Sequence, residues 1–378
     1  MSSAVLVGFK RSPFTISRKG ALAQVRPEDI LSQVINDLIE STNINKDDIE
    51  DIIAGCAYPE GEQGYNIAKI VTFMTDMPDH VAGMTVNRWC GSSMQAIHDA
   101  AGAIAMSAGN IFICCGIESM TKVPINGLSF SPHPELKLYN PNVYLSMGDT
   151  AENVAKKYNL TRQEQQEFSI SSHLKASNAE HNNYFKDEIT KIQTGNTFVV
   201  KDGCIRPNTS QEILNGLKLA FDEEGTITAG TASPLTDGAS ATLICNEDYA
   251  IKNDLNIIAK IISTSVQGCP PELMGLGPIE ASKKALKRAN LTIKDIDVVE
   301  LNEAFASQSL ACMKDLNIDP QIVNIDGGAI ALGHPLGATG SRITAKAAHI
   351  LKRENLKYAL STQCIGLGQG IATILEAY

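Results

Sequence analysis

Val86-Asn87-Arg88-Trp89-Cys90-Gly91-Ser92-Ser93-Met94-Gln95-Ala96-Ile97-His98-Asp99-Ala100-Ala101 is the stretch on which the reading of this chain turns. Val86 to Trp89 reads as an extended run, Cys90 with Gly91-Ser92-Ser93 as a turn, and Met94, Ile97, Ala101 and Ile104 recur at helical spacing. A strand, a sharp turn and a helix therefore follow one another, with a thiol at the elbow. A cysteine there faces unpaired backbone N–H groups and the positive end of the helix dipole, which favour thiolate over thiol. Burial in a core is the commoner fate of a cysteine, and the elbow alone does not decide between the two.

The same string has an echo. Val323-Asn324-Ile325-Asp326-Gly327-Gly328-Ala329-Ile330-Ala331-Leu332-Gly333-His334-Pro335-Leu336-Gly337 starts alike, with Gly327 standing where Cys90 stands. Upstream, Lys46-Asp47-Asp48-Ile49-Glu50-Asp51-Ile52-Ile53 is echoed by Lys294-Asp295-Ile296-Asp297-Val298-Val299. Because the echoes keep their order, a duplicated domain explains them better than chance. Duplication brings corresponding turns of the two halves face to face, where a site can form.

Around these strings the chain alternates short apolar runs with helical stretches, the pattern of an α/β class fold. Ala4-Val5-Leu6-Val7-Gly8-Phe9, Ile52-Ile53-Ala54-Gly55 and Ile111-Phe112-Ile113-Cys114-Cys115 read as buried strands. From Met120 to Ser233 the texture changes. Pro124, Pro132, Pro134 and Pro141 fall in a loop-like stretch, and Thr161-Arg162-Gln163-Glu164 has the capping-box spacing that starts a helix. We expect a first half over 1–119 completed by about 236–256, an inserted loop segment over 120–235, and a second half over 257–378.

The 378 residues suit two or three packed units. A formal charge of -10 speaks against nucleic-acid binding, which needs a basic face. Nine cysteines without a CxxC pair argue for free thiols and against a zinc site, so no metal is expected. No stretch reaches the roughly 20 apolar residues of a membrane span. Lys10, Arg11, Arg18 and Lys19 precede the first acid, Glu28, as in a mitochondrial transit segment, but the apolar run at Ala4 reads better as a first strand of an unexported protein.

Three further constellations bear on chemistry. In Gly333-His334-Pro335-Leu336-Gly337-Ala338-Thr339-Gly340, glycines surround a histidine whose unperturbed pKa near 6.5 suits it to take a proton from a thiol. The spacing does not match a GxGxxG nucleotide loop. In Cys364-Ile365-Gly366-Leu367-Gly368-Gln369-Gly370 a second cysteine sits at a glycine turn whose freed N–H groups can face an oxyanion; a plain hairpin is the simpler alternative. In Glu300-Leu301-Asn302-Glu303-Ala304-Phe305-Ala306, Asn302 either positions a water, donates to developing charge, or merely caps a turn.

Taken together, NRWCGSSMQA, NEAFA, GHPLGATG and CIGLGQG resemble, in order, the signatures of the thiolases, and TAGTASPLTDGAS from Thr228 extends the resemblance over essentially the whole chain. It is most similar to bacterial degradative 3-ketoacyl-CoA thiolases, including the thiolase subunit of fatty-acid oxidation complexes. The resemblance implies two α/β halves in helix, sheet, helix, sheet, helix layers, with a loop domain over the active site. It implies thiolysis of 3-ketoacyl-CoA, with Cys90 as nucleophile, His334 as its base and Cys364 as the second acid/base. One oxyanion hole would use His334 and a water on Asn302, the other the N–H groups of Cys90 and Gly366. Coenzyme A would be a co-substrate, with no permanently bound cofactor. Ser233 would lie near its pantetheine, Arg206 near its phosphates, and Met274 along the acyl or pantetheine pocket.

The resemblance further implies a homodimer or dimer of dimers paired through the first half, a cytoplasmic location, and room for a hydratase/dehydrogenase partner subunit. Two departures stand out. Trp89 replaces a smaller apolar residue beside the nucleophile, and Ser146-Met147-Gly148 lacks the histidine of acetoacetyl-specific relatives, which tilts the expectation toward longer acyl chains. Two other functions fit the scaffold. One is Claisen condensation on acyl-CoA or a carrier protein; the other is a non-catalytic acyl-CoA or lipid carrier, which would be expected to have lost a catalytic side chain.

Overall fold

A computed structural model describes residues 2–378. The first α/β unit runs β1 (Ala4–Arg11), β2 (Thr15–Ile16), α1 (Pro27–Thr42), β3 (Asp51–Gly55), α2 (Ile67–Met74), β4 (Ala82–Val86), α3 (Ser92–Ala105) and β5 (Ile111–Ser119). Then come α4 (Pro134–Tyr139), α5 (Met147–Tyr158), α6 (Arg162–His181), the hairpin β6 (Ile192–Thr194) and β7 (Thr197–Val199), and α7 (Gln211–Asn215). β8 (Thr236–Asn246) rejoins the first unit and leads into α8 (Glu247–Lys252). The second unit is β9 (Ala259–Gly268), α9 (Gly277–Ala289), β10 (Val298–Leu301), α10 (Ala306–Leu316), α11 (Ala329–Leu332), α12 (Leu336–Glu354), β11 (Tyr358–Ile365) and β12 (Gln369–Ala377).

Local chemistry sets many of these boundaries. α1 opens with Pro27, Glu28 and Asp29, which suit the positive helix end, and stops at Asn43 in the left-handed region. α6 starts at the reciprocal Thr161/Glu164 box that its spacing predicts. The proline-rich stretch is not all loop. Pro134 opens the short helix α4, whose first turn is capped by the His133 side chain.

The topology carries the duplication. Outward from β1 the order is β8, β5, β3, β4; outward from β9 it is β12, β11, β10, with β1 and β9 paired only at Val5–Lys260 and Leu6–Ala259. In place of β4 the second unit has a single parallel bridge from Val323 to Val299. β1 is buried on both faces, as its unbroken apolar run requires. Val5 and Val7 face α1 residues such as Leu31 and Leu38 in one core, while Leu6 and Phe9 share another with Ile97 of α3 and Ile350 of α12. A third core packs α9 and α10 on the far side of β10, β11 and β12 through Leu286, Met313, Val299 and Leu360. Helices and sheets thus alternate in five layers, with α3 and α12 in the middle.

The central pair corrects the alignment of the two halves. Val86 pairs with Gly55 at the end of β3 and packs toward α3 and α12, whereas Val323 pairs with Val299 inside β10 and packs toward α9 and α10, and α11 intervenes before the long helix of the second unit. The counterpart of α3 is α12. Cys90 stands two residues before Ser92, where α3 begins, and His334 two residues before Leu336, where α12 begins. His334, not Gly327, is therefore the positional partner of Cys90. The two first turns touch: Ser341 N–H donates to Ser93 Oγ at 2.8 Å, and a Cβ on Gly340 would lie 2.3 Å from the Met94 backbone nitrogen.

Buried ion pairs fasten the inserted segment to this body. Arg11 at the end of β1 binds Glu188 (2.7 Å) and Asp202 (2.8 Å), and Lys346 of α12 binds Glu188 (3.0 Å) and Asp326 (2.8 Å). No helix among the described residues is long and apolar enough to cross a membrane. Because neither backbone at the α3–α12 contact can yield, Gly340→Ala should lower the urea-unfolding free energy by about 3 kcal/mol. An unchanged midpoint would show that the helices are free to part.

Candidate active site

The elbow before α3 is held in an uncommon shape. Trp89 has φ 46°, a left-handed conformation that costs a bulky residue on the order of 1–3 kcal/mol. Its N–H donates to Asn87 Oδ1 (2.9 Å), and Ser92 Oγ donates to its carbonyl (2.6 Å) while accepting from Arg88 N–H (2.9 Å). These bonds overdetermine the turn and leave Cys90 at its apex, 8% exposed.

The sulfur meets the second half at once. The Gly366 N–H and the N–H of Cys90 itself both act on the Cys90 thiol. Gly366 opens the turn between β11 and β12, where Leu367 (φ 66°) and Gly368 (φ 84°) are both left-handed, as a tight hairpin demands. The simpler hairpin reading of CIGLGQG is thus correct for the backbone, and that hairpin is what aims Gly366. Just before it, the Gln363 side chain donates to the Cys90 carbonyl across the halves. Cys364, 1% exposed, lies close enough to Cys90 for that thiol to raise the cost of ionising Cys364.

Burial changes one expectation. It pushes the Cys90 thiol up to about 11, outweighing the pull of the two N–H groups, and raises Cys364 as well. In the free protein the elbow cysteine is a thiol, so it needs a base. His334 is able to be one. Burial, with Arg342 nearby, lowers His334 to about 3, so the imidazole is neutral at physiological pH. Thr339 Oγ1 donates to the Pro335 carbonyl (3.0 Å), which leaves it to accept from His334 Nδ1 (2.6 Å). The lone pair is then on Nε2, where it accepts from the Asn302 side-chain N–H at 3.2 Å. Asn302 Oδ1 is fully buried and has no hydrogen-bond partner among the described residues.

Glu118, which the sequence reading passed over, ties these pieces together. Its carboxylate accepts from Ala57 N–H (2.8 Å), Tyr58 N–H (3.2 Å) and Gln63 Nε2 (2.9 Å) in the first half, and from Gly337 N–H (2.9 Å) at the start of α12. Burial raises its pKa while those four donors draw it back. A lone acid closing the apolar β5 run was the available signal. Thr339, one helical turn past His334, was legible in the same way.

The three expected coenzyme contacts separate. Met274 shares an apolar cluster with Cys364, Phe305 and Met147, and Ser233 donates from its N–H to the Ala304 carbonyl (3.0 Å), two residues from Asn302. Arg206 stands apart on α6's side. Its N–H donates to His173 Nδ1 (3.2 Å), and its exposed guanidinium has no ion pair among the described residues.

A buried thiol beneath two N–H donors, a second thiol beside it and a neutral imidazole can together form and break a thioester. On a duplicated α/β scaffold this defines a cysteine-dependent acyltransferase, and the chain belongs to the thiolase family: the thiolase N-terminal domain matches residues 4–248 and the thiolase C-terminal domain residues 255–377. Its relatives include the 3-ketoacyl-CoA thiolase of Serratia proteamaculans, 45% identical, and that of Bacillus subtilis, 41% identical, each covering all of both chains. The structure of human mitochondrial 3-ketoacyl-CoA thiolase in complex with CoA superposes with a TM-score of 0.93 at 35% identity, covering 100% of this chain and 98% of that one. The Bacillus anthracis acetyl-CoA acetyltransferase gives 0.91 at 34% identity over 100% and 99%.

The raised thiol makes a testable demand. The rate of Cys90 alkylation by iodoacetamide, mapped by peptide mass, should still be climbing about tenfold per pH unit above pH ~8.5, the midpoint of an unperturbed thiol. A plateau at or below that pH would show that the elbow stabilises the thiolate after all.

Proposed function

We propose that this protein cleaves 3-ketoacyl-CoA with coenzyme A, yielding acetyl-CoA and a shortened acyl-CoA through an acyl thioester on Cys90. The reading is supported by the Gly366 N–H and Cys364 beside the Cys90 sulfur, and by the Asn302–His334 pair just before α12, the helix that packs on α3 behind Cys90. The names of the relatives support the substrate class and the degradative direction.

The steps follow from the groups available. His334 Nε2 takes the Cys90 proton, and the sulfur attacks the C3 carbonyl of the ketoacyl-CoA. The oxyanion formed there is met by the Cys90 and Gly366 N–H groups. As the C2–C3 bond breaks, the acyl group stays on sulfur and the electron pair passes to the acetyl-CoA enolate. His334, then protonated, and a water accepted by the orphan Asn302 Oδ1 would stabilise that enolate. Cys364 donates a proton to its carbon, and acetyl-CoA leaves. The resulting Cys364 thiolate accepts the proton of incoming CoA, whose sulfur attacks the thioester and releases Cys90 as thiolate, which takes its proton back from His334.

Met274 would line the acyl or pantetheine channel beside Cys364, Ser233 would face the pantetheine, and the unpaired Arg206 would meet the nucleotide phosphates. A homodimer through the first half is supported by β4, which ends the sheet with its outer edge open, and by Met84 and Phe73 exposed beside it. A cytoplasmic location follows the bacterial sources of the relatives.

Incubation with CoA and 3-ketoacyl-CoAs of graded length, following loss of ketoacyl absorbance, tests the reading. Wild type should turn over, Cys90→Ala should lose at least about a thousandfold in kcat, and Asn302→Ala about a hundredfold. Retained activity in Cys90→Ala, or acyl-CoA binding without turnover by wild type, would overturn it.

A further inference from the structure

Trp89, the only tryptophan in the chain, is a large ring where the main chain is least free. The elbow bonds fix its backbone, so the ring starts from a set point beside Cys90. The indole packs edge to face on Tyr58, with centroids 5.1 Å apart and planes at 75°. It also packs against two apolar groups, one of Ala57, Tyr58 and Val123 and one of Met94, Ile343, Ile365 and Ile371. Its Cε3 and Cδ2 approach Gly366 so closely that a Cβ there would lie 3.3 and 3.5 Å from them, and Met147 Sδ would be 3.4 Å away. Gly366 is the residue whose N–H faces the Cys90 sulfur. The indole and Met147 therefore meet at the residue beside the sulfur, and form an apolar wall next to any acyl group carried there.

We propose that Trp89 is a specificity-determining residue of this enzyme: its indole closes the acyl side of the site and disfavours long acyl chains. The inference rests on the thiolytic reading above, and it reverses the expectation of longer chains drawn from Ser146-Met147-Gly148. Tyr58 and the fixed backbone brace the ring from behind, so a long chain must displace a supported group.

The test compares kcat/KM for CoA-dependent cleavage of acetoacetyl-CoA, 3-ketohexanoyl-CoA and 3-ketododecanoyl-CoA by wild type, Trp89→Phe and Trp89→Leu. The long-to-short ratio should rise about tenfold or more in Trp89→Leu, with Trp89→Phe between. Ratios within one preparation cancel any loss of folded protein. A ratio unchanged within about twofold would overturn the assignment, while a wild type inactive on every substrate would overturn the thiolytic reading itself. The wild-type tryptophan gives a second readout without substitution. Acylation with octanoyl-CoA should shift its emission more than acylation with acetyl-CoA, and identical spectra would contradict contact between ring and chain.

Discussion

Glu118 is the constraint on which the site depends. A carboxylate with no solvent exposure is expensive to bury, and it is tolerable here because four donors converge on it. Three of them, from Ala57, Tyr58 and Gln63, belong to the first half; the fourth, Gly337 N–H, is at the first turn of α12. Hydrogen bonds to a charged acceptor are worth roughly 1.5–3 kcal/mol each. One side chain therefore fixes where the second half's central helix begins relative to the first half, and with it where His334 stands relative to Cys90.

From that contact the rest of the geometry is propagated by close packing. Gly340 lets α12 approach α3 to backbone contact, so the two helix starts that bear His334 and Cys90 lie together. Gln363, reaching the Cys90 carbonyl, registers the β11–β12 hairpin on the elbow and brings Gly366 and Cys364 with it. Duplication thus acts as a chemical device. Equivalent positions before equivalent helices hold a thiol in one half and an imidazole in the other, and neither half contains a complete site.

Much of this was legible in the residues. The elbow at Cys90, the buried strands, the capping box at Thr161 and the order of the four motifs are local patterns, and local patterns survive in a sequence. The layered α/β fold followed from them together with the family resemblance. What could not be read depends on distance or burial. The echo of VNRWC in VNIDG placed Gly327 opposite Cys90, because a string comparison does not see that the four-residue α11 shifts the helix start. The helix dipole suggested a thiolate, but the depth of burial, which no string of residues states, raises the thiol instead. Glu118 was hidden because its partners lie 55 to 219 positions away along the chain.

In the proposed reaction acyl transfer passes through Cys90, with groups of the second half only assisting. Intact and peptide mass spectrometry of the enzyme after brief incubation with acetyl-CoA in the absence of free CoA tests it most directly. One acetyl group per chain, on the peptide bearing Cys90 and removed by added CoA, is the predicted result. An acetyl group on Cys364 instead, or none on any cysteine, would contradict it.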